Sequence, residues 1–428
     1  MMTKKTRFRL TLCLTLRLTF FLTLCLSQKV FSHTFETNPN FATNLTKAVY
    51  ADLDILKLAH VPLLYADSNI NVGYAVITPK MEQRLSQLAH ARGRCGNYEA
   101  LSQIPKNIVE VENSFSVMTQ IHNKNLNYRR LSKNNLQIFP DLSITEALHQ
   151  LKSENIKTTV AYLSAFPTRY NKGAQANLHV NDFSEKLKIL IATATYPIRL
   201  DLISHASTPQ KSIRVSIQGS TKPNEYVIFG AHLDSINSWG GPLKPAPGAD
   251  DNASGSASLL EALRVLIAQA QPQRTIEFFW YAGEESGLLG SAEIAESYKT
   301  DKKNVISVLQ LDMTMFPGDG EFKITSISDF TSPWLRDYLR AINTTYLNVE
   351  ILDDKCGYGC SDHASWYRRG FPTLMPTEAK FNSMFNFIHT EKDVISSVMS
   401  FEHSLIFSKI ALIMAMDLGN SNQREPLF

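Results

Sequence analysis

The chain of 428 residues contains no internal repeat and no low-complexity tract, which excludes an array of short repeated units. It also lacks blocks of basic residues outside residues 1–32. The whole chain has a formal charge of +3, and residues 1–32 hold six basic and no acidic residues, so the remainder carries −3. Proteins that bind nucleic acids need clustered positive charge to meet the phosphates. The composition therefore excludes nucleic acid as a partner.

Near its N-terminus the sequence lacks an apolar run long enough for a plain membrane span. The Leu-rich stretch within residues 1–32 is short, and Arg17 interrupts it. Its basic start and the small-residue site at residues 30–32 are typical of a signal peptide that is cleaved before His33. We therefore expect a secreted protein, exported through the periplasm if the source is a Gram-negative bacterium. A retained anchor is the alternative; after cleavage we expect no stable membrane association.

Cysteine is scarce, with five residues in the chain. Cys13 and Cys25 belong to the predicted signal peptide, which leaves Cys95, Cys356 and Cys360 in the mature protein. The last two are close enough in sequence to form half of a metal site, but no second Cys/His pair is present to complete one. We expect Cys95 to be a free thiol.

Five side chains that suit zinc follow one another along the chain, each near the end of a predicted strand or in a loop. They are His232, Asp251, Glu285, Asp312 and His389. This set of imidazoles and carboxylates has no thiolate, which suits catalytic zinc better than a structural zinc site. Magnesium is disfavoured because imidazole is a poor ligand for it. The order of ligands is typical of a two-zinc hydrolase.

The first of these ligands follows a short apolar run at residues 226–230, which predicts a buried strand. His232 then projects from the end of that strand, and Asp234 can accept the second ring N–H and fix the tautomer. Asp250 and Asp251 come next, before apolar residues with helical spacing. Adjacent carboxylates repel each other unless a cation lies nearby, so this pair indicates a metal rather than a helix cap alone.

Two further predicted strands, residues 275–281 and 305–311, also end at acidic residues. Glu284 and Glu285 follow the first strand, and Asp312 follows the second. One glutamate can bind metal while its neighbour carries a proton. Strands that alternate with helices and present ligands at their carboxyl ends predict an open α/β sheet with the site at that edge.

The ligands lie within six longer motifs, at residues 230–235, 248–255, 282–291, 310–314, 356–366 and 388–390. In these motifs the chain resembles the secreted bacterial leucyl aminopeptidases, a family of co-catalytic zinc exopeptidases. The resemblance covers roughly the C-terminal two thirds of the chain. The resemblance implies a mixed, largely parallel sheet flanked by helices. It also implies an enzyme that acts on peptides and proteins with a free N-terminus. We expect this enzyme to be a monomer.

Carried over residue by residue, the resemblance implies two zinc ions. His232 and Asp312 would hold one ion, Glu285 and His389 the other, and Asp251 would bridge both. A water molecule shared by the ions would attack the scissile carbonyl.

Five further features follow from the same resemblance. Glu284 would be the general base, and Tyr358 would donate its phenol to the developing oxyanion. Cys356 and Cys360 would form a disulfide around that tyrosine, and the peptide bond between Asp251 and Asn252 would be cis. Asp362 and His363 stay outside the predicted site because the ligand set is complete without them.

The pocket for the first residue of the substrate would be lined by Met313, Phe381, Met384 and Ile388. These side chains predict an apolar residue such as Leu, with a preference for Lys or Arg as the alternative. Another zinc reaction on the same fold, such as that of a carboxypeptidase, an amidohydrolase or a glutaminyl cyclase, is also open. A binding protein that has lost catalysis is disfavoured because every ligand and the base are present.

Residues 33–140 show a different pattern and contain no ligand constellation. We expect a small α/β unit with strands at 61–65, 71–77 and 108–112 and a helix from Pro79. An exposed basic linker is predicted at residues 123–135, around Arg129 and Arg130. The resemblance implies a propeptide that aids folding or inhibits; a permanent accessory domain is the alternative.

The catalytic domain is predicted to span residues 141–428. Ser143 and Glu146 have the spacing of a capping box at the start of its first helix. A long apolar helix from about residue 394 to 418 is expected to close the domain.

Overall fold

The structure is a computed structural model and describes residues 46–90, 98–101, 105–131, 136–238 and 244–420. The predicted signal peptide with Cys13 and Cys25, its cleavage site, and Cys95 lie outside the described residues. Within the described ranges, no helix is long and apolar enough to cross a membrane.

The described residues between 46 and 131 form a small α/β unit, called the N-terminal unit below. Its elements are β1 (Lys47–Asp52), α1 (Leu53–Leu58), β2 (Tyr65–Asp67), β3 (Val72–Ile77), α2 (Pro79–His90), β4 (Tyr98–Ala100) and α3 (Ile108–Leu131). The strands pair antiparallel in the order β2-β3-β1-β4. The predicted strand at 71–77 and the helix from Pro79 are therefore present.

Three predictions for this unit are wrong. Residues 61–64 are not a strand, since β2 begins only at Tyr65. The predicted strand at 108–112 and most of the predicted linker are helical, because both belong to α3. Val111, Phe115 and Met118 recur at helical spacing and pack in one apolar cluster with strand residues, so burial of that face outweighs the β-branched preference of the first residues. Residues 132–135 of the linker lie outside the described residues.

The catalytic part contains the larger set of elements. They are α4 (Leu142–Leu148), α5 (Ser153–Ser164), α6 (Leu178–Ile191), β5 (Ile198–Ile203), β6 (Ser212–Ile217), β7 (Lys222–His232), α7 (Gly255–Leu266), β8 (Arg274–Tyr281), α8 (Leu289–Thr300), β9 (Asn304–Gln310), β10 (Lys323–Ile327), α9 (Pro333–Ile342), β11 (Glu350–Asp354), α10 (His363–Arg368), β12 (Thr373–Leu374), β13 (Pro376–Thr377) and α11 (Phe401–Asn420). Strands β11, β10 and β13 form a small sheet, in that order.

The main sheet has six strands in the order β12-β9-β7-β8-β6-β5. The first four strands are parallel, whereas β6 and β5 are antiparallel to their neighbours. This confirms the predicted mixed, largely parallel sheet flanked by helices. His232 pairs with Tyr281, and Gly230 pairs with Gln310, so β7, β8 and β9 end at the same edge. Residues that follow these strands must therefore converge.

Helices cover both faces of the sheet, and side chains alternate between them. Phe278 and Trp280 of β8 belong to the large apolar cluster that includes α5, α7 and α11. Phe279 and Tyr281 of the same strand belong to the cluster on the other face, with α8 and Trp366 of α10. Burial on both faces fixes the register of the sheet and with it the position of the strand ends.

Two predicted helix starts in the catalytic part are wrong. Helix α4 is capped by Asp141, whose carboxylate accepts the N–H of Ser143 at 2.7 Å, rather than by Ser143 itself. Helix α11 begins at Phe401 instead of near residue 394, since the Ser400 hydroxyl oxygen accepts the N–H of His403. In both cases a side chain nearby satisfies free N–H groups of the first turn.

Candidate active site

The five predicted ligands lie together at the carboxyl edge of the main sheet. His232 is the last residue of β7, and the others lie in the segments that follow β7, β8, β9 and β13. Among the described residues, two groups of three side chains could each hold a metal ion. Every side chain offers one ligand atom, and within a group these atoms all lie within 4.8 Å of one another. One group comprises His232, Asp251 and Asp312, and the other comprises Asp251, Glu285 and His389.

Asp251 connects the two groups through its two carboxylate oxygens. Its Oδ1 lies 3.0 Å from Nε2 of His232, and its Oδ2 lies 2.8 Å from Nε2 of His389. Asp312 Oδ1 lies 3.4 Å from the same His232 nitrogen, and Glu285 Oε2 lies 3.1 Å from the same His389 nitrogen. Each imidazole nitrogen thus faces two carboxylates. This arrangement fits a pair of cations that share one carboxylate.

The candidate site buries several carboxylates, and buried negative charge is stabilised by nearby cations. Burial raises the pKa of Glu285 to about 7, and it raises the pKa of Glu284 well above its usual range. Burial also acts to raise the pKa of Asp251, but hydrogen bonds from His232 and His389 outweigh it and lower that pKa below its usual value. Atom Oε1 of Glu284 and Oε1 of Glu285 are buried without a hydrogen-bond partner among the described residues. Buried carboxylates in such a setting suit metal ions.

Asp234 links the first ligand to the glutamate pair. The Nδ1 atom of His232 lies 3.2 Å from the carbonyl oxygen of Asp234 and 3.5 Å from its carboxylate. The carboxylate also accepts the backbone N–H groups of Glu284 at 3.0 Å and Glu285 at 3.3 Å. The predicted contact to His232 is thus made more closely by the carbonyl, while the carboxylate joins the ends of β7 and β8.

A comparison with known families gives the context of this geometry. Residues 212–428 match the family model described as Peptidase family M28. The chain belongs to this family. The resemblance predicted from the sequence is thereby confirmed, as is the prediction that the protein is an enzyme. The bacterial origin remains a prediction.

Known aminopeptidases align with this M28 peptidase over most of their own length. "Probable aminopeptidase YDR415C" of Saccharomyces cerevisiae is 35% identical over 288 residues, which are 65% of this chain and 76% of the relative. "Leucine aminopeptidase 1" of Ajellomyces capsulatus is 37% identical over 283 residues, which are 63% of this chain and 72% of the relative.

Two solved structures share the fold. The LapA aminopeptidase of Legionella pneumophila has a TM-score of 0.72 at 23% identity and covers 89% of this chain and 100% of its own. LapB of the same organism has a TM-score of 0.75 at 22% identity, with coverage of 88% and 100%. The shared fold therefore extends beyond the catalytic part into the N-terminal unit.

Several residues of this M28 peptidase that contact the predicted ligands were not themselves predicted. The carboxylate of Asp393 accepts the N–H of Asp250 at 2.8 Å and that of Asp251 at 3.0 Å. The Ser361 hydroxyl donates to Oδ2 of Asp312 at 2.6 Å. The peptide bond between Asp251 and Asn252 is cis, as the resemblance implied. These contacts fix the backbone of Asp251 and one carboxylate oxygen of Asp312.

Arg169 is another residue that the sequence did not indicate. It is fully buried and donates to the carbonyl oxygens of Leu233 at 2.8 Å and Gly248 at 2.8 Å. Burial lowers its pKa to about 10, and nearby carboxylates led by Asp393 act to raise it. Arg169 thus ties the segment after β7 to the segment that precedes Asp251. No sequence pattern marks it, since it lies about 60 residues upstream of the first ligand.

The segment with the paired cysteines lies beside one predicted ligand, since Ser361, directly after Cys360, bonds to Asp312. Cys356 and Cys360 are joined by a disulfide, with Cα atoms 6.2 Å apart. Tyr358 lies between them, is buried, and contacts the Phe381 ring edge-on at 6.1 Å between centroids. Asp362 and His363, which the sequence excluded from the site, belong to neither ligand group among the described residues.

Of the predicted pocket residues, Met313 is buried directly after Asp312, while Phe381, Met384 and Ile388 are half-buried. The contact between Phe381 and Tyr358 thus joins one predicted pocket residue to the predicted oxyanion donor.

Proposed function

We propose that the site hydrolyses the peptide bond after the N-terminal residue of peptides and proteins, using two zinc ions. Family membership and the aminopeptidase relatives establish the class, a zinc-dependent aminopeptidase. One observation carries the finer proposal: the two oxygens of Asp251 face imidazoles of different ligand groups. His232 and Asp312 would hold one ion, Glu285 and His389 the other, and Asp251 both.

The chain supplies the proton transfer itself. Bound zinc would lower the pKa of a water molecule and polarise the scissile carbonyl. We propose Glu284 as the general base; in support, its Oε1 atom is buried beside the predicted ligands with no hydrogen-bond partner among the described residues. It would take the proton of the attacking water and return it to the leaving amine. Asp234 holds the backbone of Glu284 in place at 3.0 Å.

Tyr358 is proposed to donate its phenol O–H to the oxygen on which negative charge develops. Support comes from the disulfide loop, since Ser361, one residue after Cys360, bonds to Asp312 at 2.6 Å. The loop that carries Tyr358 is therefore fixed beside one ligand group.

The first residue of the substrate is proposed to be apolar, such as Leu. Met313, Phe381, Met384 and Ile388 form the proposed pocket, and none of them is charged. One methylene gained or lost in such a pocket changes the transition-state free energy by about 1–3 kcal/mol.

Export of the protein is also proposed. The support is the basic, Leu-rich start of the sequence and the disulfide between Cys356 and Cys360, a bond that persists in oxidising compartments. We further propose that the exported protein is a monomer.

The reaction can be tested with four substrates and the zinc-loaded full chain. Leucyl anilide should be hydrolysed, and its N-acetyl derivative should not, because the acetylated substrate lacks a free amine. Release of C-terminal residues from a peptide would instead indicate a carboxypeptidase. Conversion of an N-terminal glutamine to pyroglutamate would indicate a glutaminyl cyclase. Equal hydrolysis of the free and acetylated anilides would contradict the proposal.

A further inference from the structure

Strand β4 of the N-terminal unit contacts one loop of the catalytic part directly and reaches a second loop through an arginine. The first, called the base loop here, comprises residues 283–287 and carries Glu284 and Glu285. The second, called the tyrosine loop, comprises residues 356–360 and carries Tyr358. Tyr98 of β4 contacts the base loop, and its neighbour Glu99 binds Arg368, which lies against the tyrosine loop.

Tyr98 packs directly on the end of the base loop. Its hydroxyl lies 3.1 Å from the carbonyl oxygen of Ser286 and 2.6 Å from Oε1 of Glu82. Its ring fills the space beside Gly287, where an added Cβ would lie only 2.4 Å from a ring carbon. Gly287 has φ +109°, and its carbonyl oxygen accepts the N–H of Ala100 at 2.9 Å. The base loop is therefore held at its start by Asp234 and at its end by β4.

Glu99 reaches the tyrosine loop through an arginine. Its fully buried carboxylate accepts hydrogen bonds from Arg368 at 2.6 Å and from Arg369 at 2.5 Å. The Arg368 guanidinium lies against Gly359, next to Tyr358, since a Cβ on Gly359 would lie 2.7 Å from Nη2 of Arg368. Without Glu99, Arg368 would be a buried cation that has lost this carboxylate, and such a group must move or recruit water.

Apolar and charged contacts join the N-terminal unit to the catalytic part at the same place. Leu289, which begins α8 just after the base loop, is buried in the apolar core of the N-terminal unit. Lys172 of the catalytic part lies 3.7 Å from Glu82, the partner of Tyr98. The contacts thus include an apolar side chain inside the core of the N-terminal unit, as expected for a lasting interface.

We propose that the N-terminal unit stays part of the working enzyme and that Tyr98 and Glu99 are positioning residues. Tyr98 orients the base loop, and Glu99 orients the tyrosine loop through Arg368. This proposal rests on the proposed function, because it assumes that Glu284 and Tyr358 take part in the reaction. Among the two roles open from the sequence, it favours the permanent accessory domain over the removable propeptide.

The test compares full-chain variants. Glu99→Gln keeps the shape of the side chain and removes its charge, Tyr98→Ala removes the ring, and Tyr98→Phe keeps the ring. Glu110→Gln is the matched control, since the Glu110 carboxylate accepts the N–H of Lys106 at 2.8 Å within the same unit. Zinc content, kcat and KM are measured on leucyl anilide, and amide hydrogen exchange is measured at residues 283–288 and 356–361.

Glu99→Gln and Tyr98→Ala should lower kcat by about ten- to a hundredfold, because small displacements of catalytic groups are costly. The value of KM should stay as in the wild type, since Glu284 and Tyr358 are proposed to act in the transition state. Because the base loop also carries the proposed ligand Glu285, kcat is compared at full zinc occupancy. Exchange should be faster in the base loop of Tyr98→Ala and in the tyrosine loop of Glu99→Gln. Tyr98→Phe and Glu110→Gln should behave as the wild type. Circular dichroism first shows whether Glu99→Gln and Tyr98→Ala are folded. If either folded variant has unchanged kcat and unchanged exchange, the proposal is overturned. If one variant does not fold, the other decides.

Failure of the proposed function would look different. If the wild type hydrolyses no substrate with a free amine, the function is wrong, and the exchange measurements alone then decide whether Tyr98 and Glu99 position the loops. A protease site placed within residues 132–135 gives a second test. After cleavage the N-terminal unit should remain bound in gel filtration, with activity retained. Release of the unit with a rise in activity would show a removable inhibitor and overturn the proposal.

Discussion

Asp393 holds the backbone of the residue that we propose to bridge the two ions, and Asp393→Asn tests that role. The carboxylate accepts two N–H groups, from Asp250 at 2.8 Å and from Asp251 at 3.0 Å. In the amide one oxygen is replaced by an NH2 group, so one of these N–H groups faces a donor. A hydrogen bond to a charged acceptor contributes about 1.5–3 kcal/mol. This hydrogen bond is expected to stabilise the zinc-bound state. Its loss should therefore weaken zinc binding about ten- to a hundredfold.

The assay is a competition titration of zinc against a chromophoric chelator. Glu293→Gln is the matched control, because the Glu293 carboxylate also accepts two successive N–H groups, from Ala206 at 3.0 Å and Ser207 at 2.9 Å. Glu293 belongs to neither ligand group. The control should bind zinc like the wild type. If Asp393→Asn binds zinc as tightly as Glu293→Gln does, the reasoning about Asp393 is refuted.

Three further predictions concern the ligands, the buried arginine and the pocket. Asp251→Ala should lose more zinc than His232→Ala or His389→Ala, since it removes a ligand from both ions; equal metal content in elemental analysis would argue against a bridge. Arg169→Met should lower the free energy of unfolding by about 3–5 kcal/mol, because it removes a cation from among buried carboxylates and carbonyls; a loss under about 1 kcal/mol in urea denaturation would contradict this. Leucyl and phenylalanyl anilides should give a higher kcat/KM than lysyl and arginyl anilides, and the reverse order would point to an acidic group in the pocket.

The position of the predicted ligands could be inferred from the sequence because the strands that precede them are recognisable as apolar runs. His232, Glu285 and Asp312 each follow an apolar run of strand length, and parallel strands end at one edge of a sheet. Their convergence therefore follows from topology, without knowledge of any distance. The apolar run of β8 also agrees with burial on both faces of the sheet, since Phe278 and Phe279 belong to the apolar clusters on opposite faces.

The surrounding contacts could not be predicted, because no local pattern records them. Arg169 and Asp393 reach the site from opposite ends of the catalytic part, and their roles depend on backbone groups rather than on side-chain types. Helix α3 was missed for another reason. Its first residues favour a strand, and only the longer spacing of Val111, Phe115 and Met118 shows the buried helical face.

The central claim is a two-ion aminopeptidase in which Glu284 moves the proton. It is tested most directly by titrating zinc into metal-free wild type and Glu284→Gln while recording bound metal and hydrolysis of leucyl anilide. The account predicts two zinc ions per chain in both proteins, with turnover in the wild type only. A single bound ion at full activity, or turnover near the wild-type level in Glu284→Gln with both ions bound, would contradict it.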